Sequence, residues 1–198
     1  MPGPGDLPSP QPASFIGRET ALARLRELVD GELADAVPPA GSVLVVTGEA
    51  GIGKTVLLAE VAGRARSAGT QVLSVTGRES ESKLAFAGLH QLLRPVLPAT
   101  ARLPGRQAQA LLGALGLASD PVAPDPLLTR VAVLTLLSDF ADRTPVLVVV
   151  DDAHWIDRSS LDVLAFVGSR LASERVVLLV GSRGQAPPSG FEIGRAHV

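Results

Sequence analysis

The string GEAGIGKT at residues 48–55 matches the phosphate-binding loop pattern G-x-x-x-x-G-K-[ST] at every fixed position. The preceding residues 42–47 form a short β-branched apolar run, which is typical of a buried parallel strand, and residues 56–62 continue with helical spacing. A strand, a glycine-rich loop and a helix therefore follow one another in the order that such a loop requires. This order predicts an α/β fold built on a parallel sheet.

The residue types in this loop fit a nucleotide triphosphate with Mg²⁺. Glycines let the backbone turn tightly around an anion, and the following helix presents the positive end of its dipole to the phosphates. Lys54 adds a cation for the β and γ phosphates, and Thr55 offers a hydroxyl to Mg²⁺. Of 18 basic residues only Lys54 and Lys83 are lysine, so the general preference of this chain for arginine does not explain a lysine at this position. The predicted phosphate-binding residues are Gly48, Glu49, Ala50, Gly51, Ile52, Gly53, Lys54 and Thr55.

Length and charge limit the class of protein. A chain of 198 residues is long enough for one α/β domain with a real core. The net charge of -2 gives no basic face for nucleic acid or for an acidic membrane, so we expect neither as a partner of this segment. The sequence has no cysteine, no apolar run near the roughly 18 residues that span a bilayer, and no recognisable signal peptide. We therefore expect a soluble, cytoplasmic protein.

The predicted elements follow from apolar spacing and from breaking residues. Residues 1–13 are rich in proline and glycine, which predicts a disordered lead-in. A polar segment at 77–82 follows a predicted strand at the end where parallel strands face ligand. The other predicted elements are a helix over 22–29, a strand over 71–75, helices over 84–93 (ended by Pro95), 107–115 and 127–141, and a loop over 120–126.

Two adjacent carboxylates supply the second half of the predicted site. Residues 145–150 form an unbroken apolar strand that ends in Asp151 and Asp152. An acid at the carboxyl end of a neighbouring parallel strand anchors Mg²⁺ in folds of this kind, so we assign that role to Asp151. Asp152 is the candidate base for the attacking water, provided that its side chain turns toward the γ-phosphate. The alternative for both is a solvated turn at the end of a strand.

Three further side chains near these acids have two interpretations each. His154 either senses the γ-phosphate or packs behind the site, and packing is favoured. Asp157 is interpreted as the N-cap of a helix through Leu164 and Val167 in preference to a ligand. Trp155 is expected to anchor that helix. Arg183 follows the apolar strand 176–180 and is the candidate γ-phosphate sensor; the alternative is an ordinary charged residue where the strand exits.

Several strings together resemble the signal-transduction ATPases with numerous domains, in particular the large ATP-dependent regulators of the LuxR type, and the AAA or Orc1-like ATPase domains. They are FIGRE at 15–19, the phosphate loop, FAGLHQLL at 86–93, DDAHWID at 151–157 and GSR at 181–183. The resemblance implies a three-layer α/β fold with parallel strand order 5-1-4-3-2, ATP as the nucleotide, and a switch between ATP and ADP states. It also implies that Ile16 and Arg18 lie near the adenine.

The end of the chain carries a separate prediction. Residues 192–198 back-translate to a nucleotide string that matches a widely used sequencing adapter, so we expect a non-native tail after Phe191. Residues 14–191 are then an incomplete P-loop ATPase domain, and the fifth strand, which would border the phosphate-loop strand, is expected to be missing. In the regulators named above, a winged helix, helical repeats and a DNA-binding helix-turn-helix follow the ATPase, so DNA is expected only as a partner of such a segment.

The sequence therefore favours an ATP-binding regulatory ATPase, with Asp152, Lys54 and Arg183 serving hydrolysis and with possible self-association when ATP binds. A nucleotide-gated binding module with negligible turnover is the main alternative. A small-molecule kinase is a second alternative, but the chain has no obvious arginine-rich lid and the acid pair suits activation of water. A DNA-binding regulator is a third, of which this segment would supply only the switch.

Overall fold

Four parallel strands form the centre of the computed structural model, which describes residues 42–118, 125–171, 174–184 and 188–191. The strands are β1 (Ser42–Gly48), β2 (Gln71–Thr76), β3 (Val146–Asp151) and β4 (Val176–Arg183). Their order in the sheet is β1-β4-β3-β2. This matches the 1-4-3-2 part of the expected order and confirms the parallel α/β prediction. Because β4 lies between β1 and β3, the strand that carries Asp151 is not a direct neighbour of β1.

Five α-helices connect or follow these strands in the described part of the chain. They are α1 (Lys54–Ser67), α2 (Ala87–Leu93), α3 (Gly105–Ala114), α4 (Pro126–Ala141) and α5 (Arg158–Gly168). Short 3₁₀ segments lie at Glu79–Glu81, Arg94–Arg102 and Ala153–Trp155.

The α-helix predicted over 84–93 begins three residues later than expected, at Ala87, and ends at Leu93 as predicted. Pro95 does not end all helical structure, because a 3₁₀ segment continues from Arg94 to Arg102. Proline lacks the N–H but keeps a helical φ, so the first turn of a new helical segment tolerates it. The same reasoning corrects the predicted loop over 120–126: Pro126 is the first residue of α4, and residues 119–124 lie outside the described part.

The sheet lies between two helical layers, as expected. Residues that alternate along each strand face opposite sides. One face packs against α1, where Leu44, Val46 and Leu147 meet Leu58 and Val61. The other face packs against the remaining helices in a larger cluster. Because β3 and β4 are covered on both faces, every residue of β3 and all but the last of β4 are buried, which explains their uninterrupted apolar sequences.

The C-terminal part of the described chain belongs to the core. Phe191 is 3% exposed within the larger cluster, and the backbone of Gly190 lies so near Ala165 of α5 that an added Cβ would come within 2.9 Å of the Ala165 Cβ. The predicted lead-in at 1–13, the helix over 22–29 and the tail at 192–198 lie outside the described residues. No helix in the described part is both long and apolar enough to cross a membrane.

Candidate nucleotide site

The predicted phosphate loop connects the carboxyl end of β1 to the first turn of α1. Gly51 and Gly53 both have left-handed backbone conformations, with φ values of 77° and 87°, which explains why glycine occupies these positions. Glu49, Ala50, Gly51 and Ile52 are exposed, so this surface of the loop is open to solvent. No side chain in the described ranges caps α1, and its first turn contains no acidic residue. The positive end of the helix dipole is therefore available to an anion.

Lys54 is folded back into the loop. Its ammonium group donates hydrogen bonds to the carbonyl oxygens of Gly48 and Glu49, at 2.7 and 2.8 Å, and the residue is only 8% exposed. A buried ammonium group requires compensating acceptors, and here the backbone of the loop supplies them. The lysine charge is thus already placed at the loop, whereas the neighbouring Thr55 is exposed with its hydroxyl at the start of α1.

The sheet register brings the predicted acids and Arg183 toward this loop. Gly48 of β1 pairs with Arg183 of β4, and Val46 pairs with Gly181. In turn Val150 of β3 pairs with Val180, so Asp151 follows at the same edge of the sheet. Parallel strands lie about 4.8 Å apart, hence Arg183 and the first loop residue are close neighbours.

Asp151 is buried beside a glycine that leaves room for it. It is 6% exposed, and a Cβ added to Gly181 would come within 3.2 Å of Asp151 Oδ1. The same oxygen accepts a hydrogen bond from the amide of Asp152 at 2.8 Å, which fixes the carboxylate. The glycine at the start of GSR is therefore explained by packing against the predicted metal anchor and against Leu58 of α1.

Asp152 and Arg183, the predicted base and the predicted phosphate sensor, face each other. Arg183 Nε lies 3.7 Å from Asp152 Oδ1, with the two side chains 48% and 28% exposed. The same Asp152 oxygen lies 3.8 Å from His154 Nδ1. Asp152 adopts a left-handed conformation with φ 47°, uncommon for a residue other than glycine, and opens the 3₁₀ turn that carries His154.

His154 lies inside this group of charges. Burial lowers the pKa of His154 below its ordinary value of 6.5; the Asp152 carboxylate opposes that shift, whereas Arg183 and Lys54 add to it. These interactions place the histidine within electrostatic reach of the loop lysine, both acids and Arg183. The ring lies 5.0 Å from that of Trp155, centroid to centroid, and its Nδ1 lies 3.8 Å from Asp152 Oδ1, so packing, which the sequence favours, and γ-phosphate sensing both stay predictions.

Asp157 caps a helix, as predicted, and also has a second role that the sequence did not reveal. Its carboxylate accepts from Ser160 N and Ser160 Oγ at the start of α5, at 2.9 and 2.7 Å. It also accepts from the amides of Phe86 and Gly88 at the start of α2, at 2.8 and 3.0 Å. Ser160 Oγ accepts from Leu89 N at 2.7 Å. Asp157 and Ser160 therefore cap two helices that are about seventy residues apart in sequence.

The polar segment after β2 packs against the acid-bearing turn and not directly beside the phosphate loop. β2 occupies the edge of the sheet opposite β1. The Gly77 amide donates to the Asp151 carbonyl oxygen at 2.9 Å, and a Cβ added at Gly77 would lie 2.3 Å from the Asp152 carbonyl oxygen. Ile16 and Arg18, the residues expected near the adenine, lie outside the described residues.

A family model of the AAA ATPase domain matches residues 14–180. The chain belongs to the AAA ATPase domain family. Among curated relatives, an uncharacterized protein of Rhizobium meliloti (strain 1021) is 33% identical over 194 residues, covering 85% of this chain and 18% of that protein. This AAA ATPase domain therefore spans less than a fifth of the length of that relative.

Solved structures share the fold of this AAA ATPase domain. Cdc6p from Pyrobaculum aerophilum matches with a TM-score of 0.62 and 16% identity, over 96% of this chain and 47% of that one. The ORC2 protein of Aeropyrum pernix, solved in ADPNP–ADP complexes, matches with a TM-score of 0.52 and 17% identity, over 87% and 42%. The Aeropyrum pernix ORC1 protein, solved with DNA, gives 0.51 and 18%, over 94% and 46%. At these identities the similarity establishes the fold alone.

The residues of this AAA ATPase domain fit nucleotide with Mg²⁺. No group of three or more His, Cys, Asp or Glu side chains in the described ranges converges as a metal site. Mg²⁺ in nucleotide sites needs no such cage, because it keeps several waters and takes one or two protein ligands together with substrate phosphates. The buried Asp151 carboxylate and the exposed Thr55 hydroxyl are oxygen donors of the required kind.

Proposed function

We propose that this chain is an ATP-binding regulatory ATPase domain, in which Mg²⁺-dependent ATP binding and slow hydrolysis switch the conformation. One observation carries the proposal. The Lys54 ammonium group donates hydrogen bonds to carbonyl oxygens of its own loop, at the uncapped start of α1. A cation and a free helix N-terminus are thus held together in a loop whose glycines permit close approach of phosphate. Gly48, Glu49, Ala50, Gly51, Ile52, Gly53, Lys54 and Thr55 form this cradle.

The contact between Asp152 and Arg183 supplies the switch in this proposal. Oδ1 of the candidate base, Asp152, lies 3.7 Å from Nε of the candidate sensor, Arg183. An ion pair with this exposure is worth only about 0–1 kcal/mol, whereas arginine binds phosphate through strong charge-assisted hydrogen bonds. The γ-phosphate therefore competes well for Arg183. Withdrawal of Arg183 leaves the Asp152 carboxylate able to accept a proton from the attacking water, and the loss of the γ-phosphate on hydrolysis restores the pair.

Mg²⁺, when bound, would neutralise charge on the β and γ phosphates. Asp151 and Thr55 are the residues assigned to hold it. Asp151 is suited to this because the Asp152 amide donates a hydrogen bond to its Oδ1 and fixes the carboxylate, so little further ordering would be needed to hold the metal.

Calorimetry of ATP binding in the presence of Mg²⁺ tests the assignment of the loop. Lys54→Ala removes charge-assisted hydrogen bonds worth about 1.5–3 kcal/mol, which corresponds to a roughly ten- to hundredfold loss of ATP affinity. Lys83→Ala is the matched control, because Lys83 is the other lysine of the chain and is exposed in the segment after β2. Unchanged binding by Lys54→Ala, or an equal loss in both variants, would contradict the proposal.

A nucleotide-gated binding module with negligible turnover remains the second candidate, and the Asp152–Arg183 contact favours it, because Arg183 Nε lies 3.7 Å from the carboxylate that would accept the proton. Single-turnover release of phosphate distinguishes the two functions. For an ATPase, Asp152→Asn slows release strongly, since the amide cannot accept the proton. For a module, the wild type and Asp152→Asn release phosphate at the same low rate.

We further propose that the domain belongs to a cytoplasmic transcriptional regulator of the LuxR-type group and self-associates when ATP binds. The sequence strings named above support this, together with the small share of the Rhizobium relative that the chain covers. The coding sequence beyond the codon for Phe191 tests the first part, because such a regulator continues in frame into helical repeats and a helix-turn-helix. Light scattering after gel filtration, with and without ATP, tests the second, and an unchanged mass would exclude it.

A further inference from the structure

His154 has an unusual hydrogen-bonding state in this structure. Both of its ring nitrogens are buried, and neither has a hydrogen-bond partner among the described residues. In the same part of the chain only one other buried side-chain nitrogen or oxygen, Gln107 Oε1, lacks a partner. Buried polar atoms in folded proteins are nearly always hydrogen-bonded, so an exception needs an explanation. In a nucleotide site, a partner that arrives in another state of the site is such an explanation.

The group closest to forming that bond is Asp152. Its Oδ1 lies 3.8 Å from His154 Nδ1 and 3.7 Å from Arg183 Nε. Both distances exceed that of a hydrogen bond, so one carboxylate oxygen lies between two potential donors and is bonded to neither. A shift of about 1 Å toward either side would complete one bond and lengthen the other contact.

The turn that holds His154 is fixed, which makes Asp152 or Arg183 the side chain that moves. Trp155 N donates to the Asp152 carbonyl oxygen at 2.8 Å, and Ile156 N donates to the Ala153 carbonyl oxygen at 3.1 Å. The rings of His154 and Trp155 lie 5.0 Å apart, centroid to centroid. The Asp152 carboxylate accepts no hydrogen bond from any described residue and is 28% exposed, and Arg183 is more exposed still.

We propose that His154 is a positioning residue for the ATPase reaction: when ATP draws Arg183 away, the His154 Nδ1–H donates to the Asp152 carboxylate and holds it toward the attacking water. A neutral imidazole donates from one ring nitrogen and accepts at the other, so it aligns this carboxylate without competing for its charge. The inference rests on the proposed function, since it concerns the step in which Asp152 accepts the proton.

Steady-state kinetics with paired variants test this role. His154→Leu removes the donor and should lower kcat about ten- to a hundredfold with little change in KM, because misplacement of a reacting group by about 1 Å costs on this order. His154→Asn places an amide nitrogen near the position of Nδ1 and should recover most of kcat. His90→Asn, on α2, is the matched control and should behave as the wild type. Equal loss in His154→Leu and His154→Asn would overturn the proposal.

A double-mutant cycle shows whether His154 acts through Asp152. His154→Leu should slow the wild-type enzyme but change Asp152→Asn less than twofold, because the base that it positions is already absent. If His154→Leu slows both backgrounds by the same factor, the histidine acts independently of Asp152 and the proposal fails. Melting temperatures of all variants are measured alongside, since a merely structural role would lower them in step with kcat.

A binding measurement decides the proposal without turnover. With ¹⁵N-labelled histidine, the three histidines of the chain give few signals, and His154→Leu assigns the one of interest. On addition of a non-hydrolysable ATP analogue with Mg²⁺, the His154 Nδ1 proton should become protected from solvent exchange, and Asp152→Ala should abolish that protection. Analogue binding with no change at His154 would overturn the inference alone, whereas no binding of the analogue would overturn the proposed function itself.

Discussion

Replacement of Asp157 by alanine should destabilise the domain far more than loss of an ordinary helix cap. In the wild type, its carboxylate, 2% exposed, accepts from three backbone amides and one hydroxyl that belong to the starts of two helices. The cap of α5 alone is worth about 1 kcal/mol. The other three hydrogen bonds contribute about 1 kcal/mol each, which gives a total near 4 kcal/mol.

Asp125→Ala is the matched control for this variant. Asp125 also caps a helix, since its Oδ1 accepts from Leu128 N at 2.9 Å, but it is exposed and its side chain makes only that hydrogen bond with the described residues. The expected loss is about 1 kcal/mol. Asp157→Asn should lie between the two, because it keeps Oδ1 and its two amide partners but turns an NH₂ group toward the Gly88 amide.

Urea unfolding followed by circular dichroism gives these free energies of unfolding. A difference near 3 kcal/mol between Asp157→Ala and Asp125→Ala corresponds to about 6–12 °C in melting temperature for a domain of this size. If Asp157→Ala is already unfolded, Asp157→Asn supplies the comparison. A loss in Asp157→Ala no larger than in Asp125→Ala would refute the conclusion that this carboxylate joins two helices.

Two further predictions concern the same region. Gly77→Ala should cost about 1–3 kcal/mol, because its Cβ would lie 2.3 Å from the Asp152 carbonyl oxygen, whereas the control Gly63→Ala on α1, where the Cβ meets nothing within 4 Å, should be neutral or stabilising in urea unfolding. Because burial lowers the pKa of His154 below 6.5, the unfolded chain binds its proton first as pH falls, so stability should decrease below about pH 6.5. His154→Asn should reduce that dependence in unfolding experiments across pH 5.5–7.5, and an unaltered slope would contradict it.

The strands and the phosphate loop could be predicted from the sequence because the local residue pattern at each place favours a single conformation. The apolar runs of β3 and β4 and the GEAGIGKT string each specify one conformation, and the described structure has the predicted elements at these places. The start of α2 could not be predicted, because Phe86 adopts a left-handed φ of 61° that its residue type does not suggest. That conformation depends on tertiary hydrogen bonding from residues far along the chain.

The residues of the candidate site were predicted by type, but their contacts were not. Asp152 and Arg183 were each assigned a role toward the γ-phosphate, and nothing in their spacing indicated that they face each other. The second role of Asp157 was equally hidden, since a cap is visible in local sequence and a bond to an amide about seventy residues away is not. Gly77 and Gly88 gave a partial indication of these contacts, because their lack of a side chain permits close approach of the acid-bearing segment.

The described chain has two strained backbone positions, one in the turn that precedes Asp157 and one at the start of α2, and Asp157 connects these two segments. Asp152 and Phe86 are the only described residues, apart from glycines, with positive φ. Such conformations persist only where surrounding bonds over-determine them, and each costs on the order of 1–3 kcal/mol. The Asp152 turn is held by its bond to Trp155 N, and Phe86 by the Asp157 carboxylate. Asp157 thus offsets strain at α2 while it fixes the segment that follows Asp151 and Asp152, so the stability of this helix and the geometry of the candidate site depend on the same carboxylate.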